Sequence, residues 1–488
     1  MTDKATIVLF SHVSNVRSIT GAEKLLLFFC RELSPYFNCI LVAPQDGKLT
    51  RKARLSGIDV HLMSIPLVYG MYTPYAGLEA DIRKFQDSKE NRELSEWLAV
   101  LRPAFIITST CVHVLPAIAA KSLGIPVVWK ISETITDNEH TPISVDIIHR
   151  NSDEILVISH TAASCFPEDI RQSKVTHLPP SWNDADIMLE AWSKLRGERR
   201  RELQIRPGEK LVGYISSFIN KEKGLEHFVK MAVLVAAVHP EARFMVIGTP
   251  GDKSYYERCV RKVKLEGLNP HFKFIGYEES LPAAYCAMDV LVVPSLIREG
   301  FGMTALEGLA FGKPVVAYSS GGLREILHAA GCADYLVAAD DIDGLAGKVG
   351  MLLANPELAA AIGSQARERV VAAYGPAAYR VRLQGYAERW NLRFCTAPPE
   401  PQAAPAVELP PGGEAPGEPE AAAAPRRKGL PRRAARLRRG KLRRGRLRRA
   451  KGRRRAELKR RARTARRRST AGKRRSAARR SGRRRKAG

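Results

Sequence analysis

Two carboxylates and two glycines lie within nine residues of one another, just after a predicted buried strand. The segment runs from Glu299 through Gly300 and Gly302 to Glu307. Glycines let backbone amides approach an anion closely, and a helix predicted to begin near Met303 turns its positive end toward the same place. Because carboxylates repel phosphate, we expect Glu299 and Glu307 to bind neutral hydroxyls beside that anion. Sugar hydroxyls fit this chemistry.

A second interpretation of this segment needs no ligand. Thr304-Ala-Leu-Glu307 has the spacing of a capping box, in which a threonine and a glutamate close the amino terminus of a helix. Glu307 would then stabilise the helix and contact no substrate. From these residues alone, both interpretations stay open.

Short apolar runs alternate with amphipathic stretches, a pattern typical of parallel sheets covered by helices on both faces. They form two series, which predict two Rossmann-like, doubly wound α/β domains. The first series is residues 5–10, 39–43, 60–63, 105–108, 127–131 and 154–158. The second is residues 211–215, 243–247, 272–275, 290–293 and 314–317. Ligands of such sheets bind beyond the carboxyl ends of the strands, which is where the segment from Glu299 should lie.

A short internal repeat accompanies the two series. Asp153-Glu-Ile-Leu-Val-Ile-Ser159 and Asp289-Val-Leu-Val-Val-Pro-Ser295 each place a serine six residues after an aspartate, across a predicted strand. One repeat of this length is weak support for duplication of a domain.

Composition divides the 488 residues further. We expect a first domain over residues 1–185, a connection over 186–208, a second domain over 209–375 and a final helix over 376–395 that packs back on the body. Residues 396–425 hold nine prolines and five acids but no base, which predicts an extended linker.

The net charge of +29 is concentrated in residues 426–488, where 34 bases face one acid. This tail has no aromatic residue on which bases could stack, so sequence-specific recognition of RNA is not expected. Its composition predicts a disordered polycation that binds nucleic acid, anionic lipid or another polyanion. An appendage without a function of its own is the alternative.

The segment Glu299-Gly-Phe-Gly-Met-Thr-Ala-Leu-Glu307 resembles the E-x7-E signature of the retaining GT-B glycosyltransferases of family 4. Other segments agree in the same order, namely Gly21-Ala-Glu23, Pro126-Val-Val-Trp-Lys-Ile-Ser-Glu133, Lys223-Gly224 and Gly321-Gly322-Leu-Arg-Glu325. The resemblance implies two Rossmann-like domains facing a cleft, with the acceptor on the first and the donor on the second. It implies transfer of a hexosyl unit from a nucleotide diphosphate sugar, linked to UDP or GDP, to an unidentified acceptor hydroxyl with retention of configuration. It implies neither a metal nor another cofactor.

The resemblance also assigns roles to residues. Glu299 and Lys223 are the expected catalytic residues, with Glu299 on the donor hexose and Glu307 on the ribose of the nucleotide. The other expected donor-binding residues are Gly21, Gly300, Phe301, Gly302, Met303 and Thr304. The amides of residues 301–304 would neutralise the diphosphate together with Lys223, which stabilises the leaving group.

One departure from the family pattern concerns charge at the diphosphate. The family has an arginine before the lysine, where this chain has Ser217 or Phe218. Arg298 or Lys221 is a candidate to supply that charge instead.

A second departure concerns the acceptor side. The family often has a histidine where the strand entering this side ends, whereas this chain has Lys130 and Ser132 there, just before Glu133. His12 and His113 follow other strands of the first domain. The acceptor-side candidates are Lys130, Glu133, His12 and His113, although a single histidine is more often structural than catalytic. The loop region from Tyr69 to Asp87 also faces the acceptor by position, and its tyrosines 69, 72 and 75 form no decisive pattern.

Other features favour a cytoplasmic protein without a metal. Asp341-Ile-Asp343 and Asp184-Ala-Asp186 have the DxD form that binds metal in a different glycosyltransferase fold, but Asp341 precedes a predicted helix that it would cap. The eight cysteines lack zinc-like spacing, and no apolar run reaches about 18 residues. The first residues carry no export signal, so we expect a cytoplasmic location, with the tail allowing peripheral binding to the inner face of the membrane.

Two further functions stay open at this point. A GT-B enzyme that acts on the nucleotide sugar itself, such as an epimerase, would consume donor without an acceptor. A polyanion-binding protein with a decayed glycosyltransferase body would depend on its tail alone. The presence of Glu299, Glu307 and Lys223 counts against the polyanion-binding protein.

Overall fold

The computed structural model describes residues 4–16, 19–278 and 280–395. Both predicted domains lie in one compact unit. The predicted linker and basic tail, residues 396–488, lie outside the described residues.

The first sheet has seven parallel strands in the order β3-β2-β1-β4-β5-β6-β7. Its strands are β1 (Thr6–Phe10), β2 (Asn38–Ala43), β3 (Asp59–Leu62), β4 (Phe105–Ser109), β5 (Val127–Ile131), β6 (Glu154–Val157) and β7 (Val175–His177). The helices that go with it are α1 (Gly21–Leu33), α2 (Lys48–Leu55), α3 (Leu78–Gln86), α4 (Lys89–Leu101), α5 (Val114–Ser122), α6 (Thr141–Arg150), α7 (His160–Ala163) and α8 (Glu168–Lys174).

The second sheet has six parallel strands in the order β10-β9-β8-β11-β12-β13. Its strands are β8 (Lys210–Ile219), β9 (Ala242–Pro250), β10 (Phe272–Ile275), β11 (Val290–Val293), β12 (Val315–Tyr318) and β13 (Leu336–Val337). The remaining helices are α9 (Trp192–Glu202), α10 (Leu225–Val238), α11 (Lys253–Leu265), α12 (Leu281–Ala287), α13 (Met303–Ala310), α14 (Gly322–Ala329), α15 (Ile342–Ala354), α16 (Pro356–Tyr374) and α17 (Pro376–Trp390).

Two doubly wound α/β sheets are therefore present, and the predicted fold class is confirmed. Each predicted strand is found within a few residues of its expected bounds. β7 and β13 were not predicted, because these strands have three and two residues at the edges of their sheets and give little apolar pattern.

The aspartates of the internal repeat act alike in the two sheets. Asp153 precedes β6, and its Oδ2 accepts a hydrogen bond from the amide of Val127 at the start of β5, at 2.8 Å. Asp289 precedes β11, and its Oδ2 accepts one from the amide of Leu211 in β8, at 2.7 Å. Each carboxylate thus satisfies a strand-end amide in the neighbouring strand.

Two helices outside the regular alternation pack on the sheets. α9 lies within the predicted connection, and its Arg196 donates to Asp289 at 2.6 Å, which fixes it to the second domain. α17 returns to the first domain, where Trp390 is buried and its Nε1 donates to Glu154 Oε2 at 3.0 Å. Arg380 of α17 also binds both carboxylate oxygens of Glu32 at 2.9 Å.

No helix within the described ranges is both long enough and apolar enough to cross a membrane.

Candidate functional site

The helix start predicted near Met303 lies at the carboxyl end of the second sheet. α13 begins at Met303, with Gly302 as its N-cap at φ 112°. Only glycine adopts this backbone conformation readily, and a Cβ there would lie 2.5 Å from a side-chain carbon of Leu323. The first amides of a helix have no partner within it, so those of Met303 and Thr304 are free to face a ligand.

The capping-box interpretation of Glu307 is wrong. Because α13 begins before Thr304, the threonine lies inside the helix and does not cap it. The Glu307 carboxylate instead accepts a hydrogen bond from the hydroxyl of Tyr285 on α12, at 2.7 Å. Burial raises the pKa of Glu307, while that hydrogen bond opposes the rise.

Glu299 and Lys223, the two expected catalytic residues, form an ion pair. The distance from Lys223 Nζ to Glu299 Oε1 is 2.6 Å, and the hydroxyl of Ser295 donates to the same carboxylate oxygen at 2.6 Å. The two side chains are 32% and 18% exposed, so neither charge is fully buried.

The segments carrying this pair fit together through backbone contacts. Lys223 lies on a short turn that ends at Gly224, where φ is 71°. A Cβ on Gly224 would lie only 1.8 Å from the carbonyl oxygen of Pro294, so no other residue fits there. The amide of Leu296 donates to the carbonyl of Glu222 at 2.8 Å. The lysine turn and the loop of Glu299 are therefore held in register.

The loop that contains Glu299 also packs on the segment before α14. The amide of Gly322 donates to the carbonyl of Glu299 at 2.8 Å, and a Cβ on Gly322 would lie 2.5 Å from the Cα of Phe301. Phe301 itself is buried, with its ring edge-on to Tyr374 at 5.5 Å. This packing fixes the backbone from Glu299 to the start of α13.

The first domain contacts the same loop from the other side of the cleft. A Cβ on Gly300 would lie 2.7 Å from the carbonyl oxygen of Ser132, which follows β5. The hydroxyl of Ser159, which follows β6, donates to the carbonyl of Gly300. The hydroxyl of Thr134 donates to the carbonyl of Arg298 at 3.0 Å. The position of Gly300 thus requires a glycine for the two domains to meet.

A second contact between the domains lies at Glu325 on α14. Its carboxylate accepts the amides of His160 at 3.0 Å and of Thr161 at 2.7 Å, the first two residues of α7. A carboxylate at the amino terminus of a helix also complements the helix dipole.

Glu133 supports the backbone on the acceptor side. Its carboxylate accepts hydrogen bonds from the amides of Cys111 at 2.7 Å and Ser132 at 2.9 Å, and from the hydroxyl of Thr110. These contacts join the loops that follow β4 and β5. Glu133 thereby sets the position of the Ser132 carbonyl that meets Gly300.

Lys130 is buried beside these loops. Its Nζ donates to the hydroxyl of Ser132 at 2.9 Å and lies 6.0 Å from the ring of Phe29. Burial lowers the pKa of Lys130 to about 8. The ammonium therefore lies behind Ser132, between the sheet and α1.

His12 and His113 differ in exposure. His113 is buried at the start of α5, edge-on to Phe10 at 6.0 Å, and burial lowers its pKa to about 3. His12 is partly exposed; burial lowers its pKa as well, against the opposing charges of Glu133 and Glu23. Of the two histidines, His12 is the more exposed.

Gly21 begins α1, and a Cβ on it would meet no atom within 4 Å. Thr20 caps the helix in a capping box with Glu23, whose carboxylate also accepts the amide of Asn15 at 2.8 Å. Thr20 thus has a structural role at the start of α1.

Two residues remain candidates to replace the arginine of the family pattern. Lys221 and Arg298 are both exposed, on the segments that carry Lys223 and Glu299 respectively. Phe218 lies near the end of β8 with its side chain half-exposed.

The DxD segments have structural partners. Asp341 caps α15 by accepting the amide of Gly344 at 2.7 Å, which confirms the capping interpretation. Asp184 pairs with Arg380 at 3.1 Å. Within residues 4–16, 19–278 and 280–395, no group of three or more His, Cys, Asp or Glu side chains is arranged to hold a metal ion.

Several residues of the site were not identified from the sequence. Tyr285 reaches Glu307 from another helix, and Ser132 meets Gly300 from the other domain. Ser159 and Ser295 could have been found, because they are the two serines of the internal repeat. Both donate to residues 299–300, one from each domain.

Parts of the chain are similar to known proteins. Residues 196–369 match the family model described as glycosyl transferases group 1. The chain is 27% identical over 254 residues to the lipopolysaccharide core biosynthesis mannosyltransferase LpsB of Rhizobium meliloti (strain 1021), covering 51% of this chain and 69% of the relative. It is 34% identical over 169 residues to the 2-deoxystreptamine N-acetyl-D-glucosaminyltransferase of Streptomyces fradiae, covering 34% of this chain and 38% of the relative.

The fold agrees with solved structures over both domains. The structure of Anabaena Alr3699/HepE in complex with UDP-glucose superposes with a TM-score of 0.64 at 17% identity, covering 79% of this chain and all of that one. WaaG, a glycosyltransferase involved in lipopolysaccharide biosynthesis, superposes with a TM-score of 0.56 at 12% identity, covering 78% of this chain and 99% of that one.

Proposed function

We propose that the chain, whose residues 196–369 match the family model described as glycosyl transferases group 1, moves a hexosyl unit from a nucleotide diphosphate sugar to an acceptor hydroxyl with retention of anomeric configuration. The observation that carries the proposal is the Lys223–Glu299 pair, at 2.6 Å, beside the glycine-capped start of α13. It puts a cation, free helix amides and a carboxylate at one place in the cleft.

Each component of this arrangement has a role with the donor. The diphosphate binds the amides at the start of α13 and the ammonium of Lys223. Once the ammonium binds phosphate, Glu299 is free to accept hydroxyls of the hexose. Glu307 accepts hydroxyls of the ribose, and its contact with Tyr285 holds the carboxylate in place. The similar fold solved with UDP-glucose supports this class of donor.

In the reaction, the bond between the anomeric carbon and the diphosphate oxygen breaks, and the electron pair stays on the phosphate. Lys223 and the helix amides stabilise that charge. The acceptor oxygen bonds to the anomeric carbon on the same face, and its proton passes to the leaving phosphate. This route needs no protein nucleophile. Contacts between the domains at Gly300 and Glu325 close the cleft and exclude water.

Ligand binding tests the donor class. We would record thermal unfolding of the full chain with UDP, GDP, ADP and their sugars, since a ligand of the folded state raises the unfolding temperature. A Gly302→Val variant carries the same basic tail, so any binding by the tail cancels in the comparison. We expect one nucleotide to stabilise the wild type and not the variant. Equal shifts in both proteins, or none, would contradict the proposal.

Product analysis tests the reaction. Incubation with the stabilising sugar donor and an acceptor should give a glycoside whose anomeric configuration, read by NMR coupling constants, is that of the donor. Without an acceptor, the donor should remain intact or be hydrolysed to free sugar. An altered sugar from the donor alone would favour the epimerase alternative. The cytoplasmic location and the polyanion binding of the tail stay predictions.

A further inference from the structure

The loop that precedes α3 is fixed against the segment that follows β5. The amide of Val68 donates to the carbonyl of Val112 at 2.9 Å, and Met71 is fully buried. The amide of Thr136 donates to the carbonyl of Tyr72 at 2.9 Å, and Asn138 Nδ2 donates to the carbonyl of Pro74 at 3.0 Å. The backbone around Tyr72 is therefore held at one place on the first domain.

The three tyrosines of this loop have different surroundings. Tyr69 is 71% exposed. The hydroxyl of Tyr75 donates to Asp81, and its ring fills the space above Gly70 and Gly77, where a Cβ would lie 2.5 Å and 3.2 Å from ring atoms. Tyr72 is 40% exposed, as Tyr75 is, so part of the residue remains accessible.

Tyr72 lies between the two domains. Burial, then the Cys111 thiol, then the carboxylates of Glu133, Glu299 and Glu222 raise the pKa of its phenol. Glu222 and Glu299 belong to the lysine turn and the adjoining loop of the second domain, so the phenol is within electrostatic reach of both. The backbone hydrogen bond from Thr136 fixes Tyr72 next to the segment whose Thr134 contacts Arg298.

Two exposed hydroxyls lie on the segments joined at Tyr72. The Oγ1 atoms of Thr73 and Thr136 are 3.3 Å apart, and the amide of Thr136 is the one that donates to the carbonyl of Tyr72. An aromatic ring next to hydroxyls offers an apolar face with a polar rim. The C–H face of a pyranose or cyclitol ring matches this surface, because its hydroxyls project from the edge.

We infer that Tyr72 is the platform on which the acceptor lies, and that the acceptor is a ring polyol, a sugar or a cyclitol, rather than an open-chain alcohol. The inference rests on the proposed function, since it takes Glu299 as the position of the donor hexose. Tyr72 would determine acceptor specificity by stacking and take no proton from the acceptor.

Saturation-transfer NMR on the full chain with UDP present tests this inference. The probes are methyl α-D-mannopyranoside and myo-inositol as ring polyols, and sorbitol as an open-chain polyol. We expect saturation of the ring probes and little of sorbitol. Tyr72→Ala should weaken ring binding about fivefold, in line with about 1 kcal/mol for aromatic packing. Tyr72→Phe keeps the ring and should keep most of the binding.

Tyr69→Ala is the matched control, because it removes an exposed tyrosine from the same loop. The inference is overturned if Tyr72→Ala binds the ring probes as the wild type does, if the wild type binds neither ring probe, or if sorbitol binds equally well. Thermal shifts with UDP, GDP and ADP, measured on the same samples, separate the two proposals. A shift with one of these nucleotides but no ring binding overturns only this inference, whereas the absence of a shift with all three in the wild type counts against the proposed function.

Discussion

Lys223 Nζ lies 2.6 Å from Glu299 Oε1, and this ion pair joins the turn after β8 to the loop after β11. A diphosphate arriving at α13 competes with the carboxylate for the ammonium. The exchange frees a lysine for phosphate and a glutamate for sugar hydroxyls in one step. Without a ligand, the charges of Lys223 and Glu299 therefore neutralise each other.

Replacing Glu299 separates nucleotide binding by Lys223 from the role of the glutamate in sugar transfer. In Glu299→Gln the lysine loses its partner, so we expect UDP or GDP to bind at least as tightly as in the wild type. Turnover of the sugar donor should fall by about 10²-fold, the usual cost of removing one group that stabilises a transition state. Nucleotide titration and initial rates measure the two effects. Glu202→Gln removes an exposed carboxylate that pairs with Arg199 on α9, and it is the control. Wild-type turnover in Glu299→Gln would exclude a catalytic role.

Gly300 tests the contact between the domains. A Cβ in Gly300→Ala would lie 2.7 Å from the Ser132 carbonyl oxygen, so we expect the cleft to open and the transfer rate to fall by roughly tenfold or more. Small-angle scattering should show a larger radius of gyration with donor bound. Gly385→Ala, in α17 with open space around it, is the matched control. A closed, fully active Gly300→Ala enzyme would show that the domains do not meet here during turnover.

Replacing Glu307 with glutamine should raise the stability of the fold and lower the affinity for the nucleotide. Its pKa is raised in the folded protein, so ionisation disfavours the folded state, and stability is lost as pH rises through that pKa. Glu307→Gln should therefore gain stability over the wild type as pH rises above the ordinary glutamate pKa of 4.5, measured by urea unfolding. Its nucleotide affinity should drop by about 10-fold or more through loss of hydrogen bonds to a carboxylate. A purely structural glutamate would give lower stability with unchanged affinity.

Lys130 predicts a pH effect in the alkaline range. The folded pKa is about 8, below the ordinary value of 10.5, so the unfolded chain binds the proton more tightly. The cost of the buried charge is present below pH 8 and disappears as pH rises from 8 to 10.5. The stability of the wild type relative to Lys130→Met should accordingly increase over that window. A difference that stays constant from pH 7 to 10.5 would show that the ammonium is not buried in the folded state.

The sequence was sufficient for features set by local patterns. Buried parallel strands are apolar runs, so the two sheets were predictable, and the glycines before α13 marked the start of the site. The capping box at Thr304 failed because the left-handed backbone of Gly302 lets the helix begin one residue before that threonine. Spacing alone does not show which residue of such a segment takes that conformation.

Tertiary contacts were beyond local patterns. Tyr285 meets Glu307 from a helix more than twenty residues earlier, and Ser132 meets Gly300 from the other domain. The choice of Tyr72 among the three tyrosines also depends on the fold. The ring of Tyr75 packs beside Gly70 and Gly77, and its hydroxyl donates to Asp81. Sequence spacing contains no information on these distances.

A crystal structure of the protein with an intact nucleotide diphosphate sugar tests the central claim most directly. We predict the diphosphate on the amides at the start of α13, with the Lys223 ammonium moved from Glu299 to a phosphate oxygen. The Glu299 carboxylate should then lie within hydrogen-bond distance of the hexose, and that of Glu307 within the same reach of the ribose. A donor bound elsewhere, with the Lys223–Glu299 pair intact and the start of α13 empty, would contradict the account.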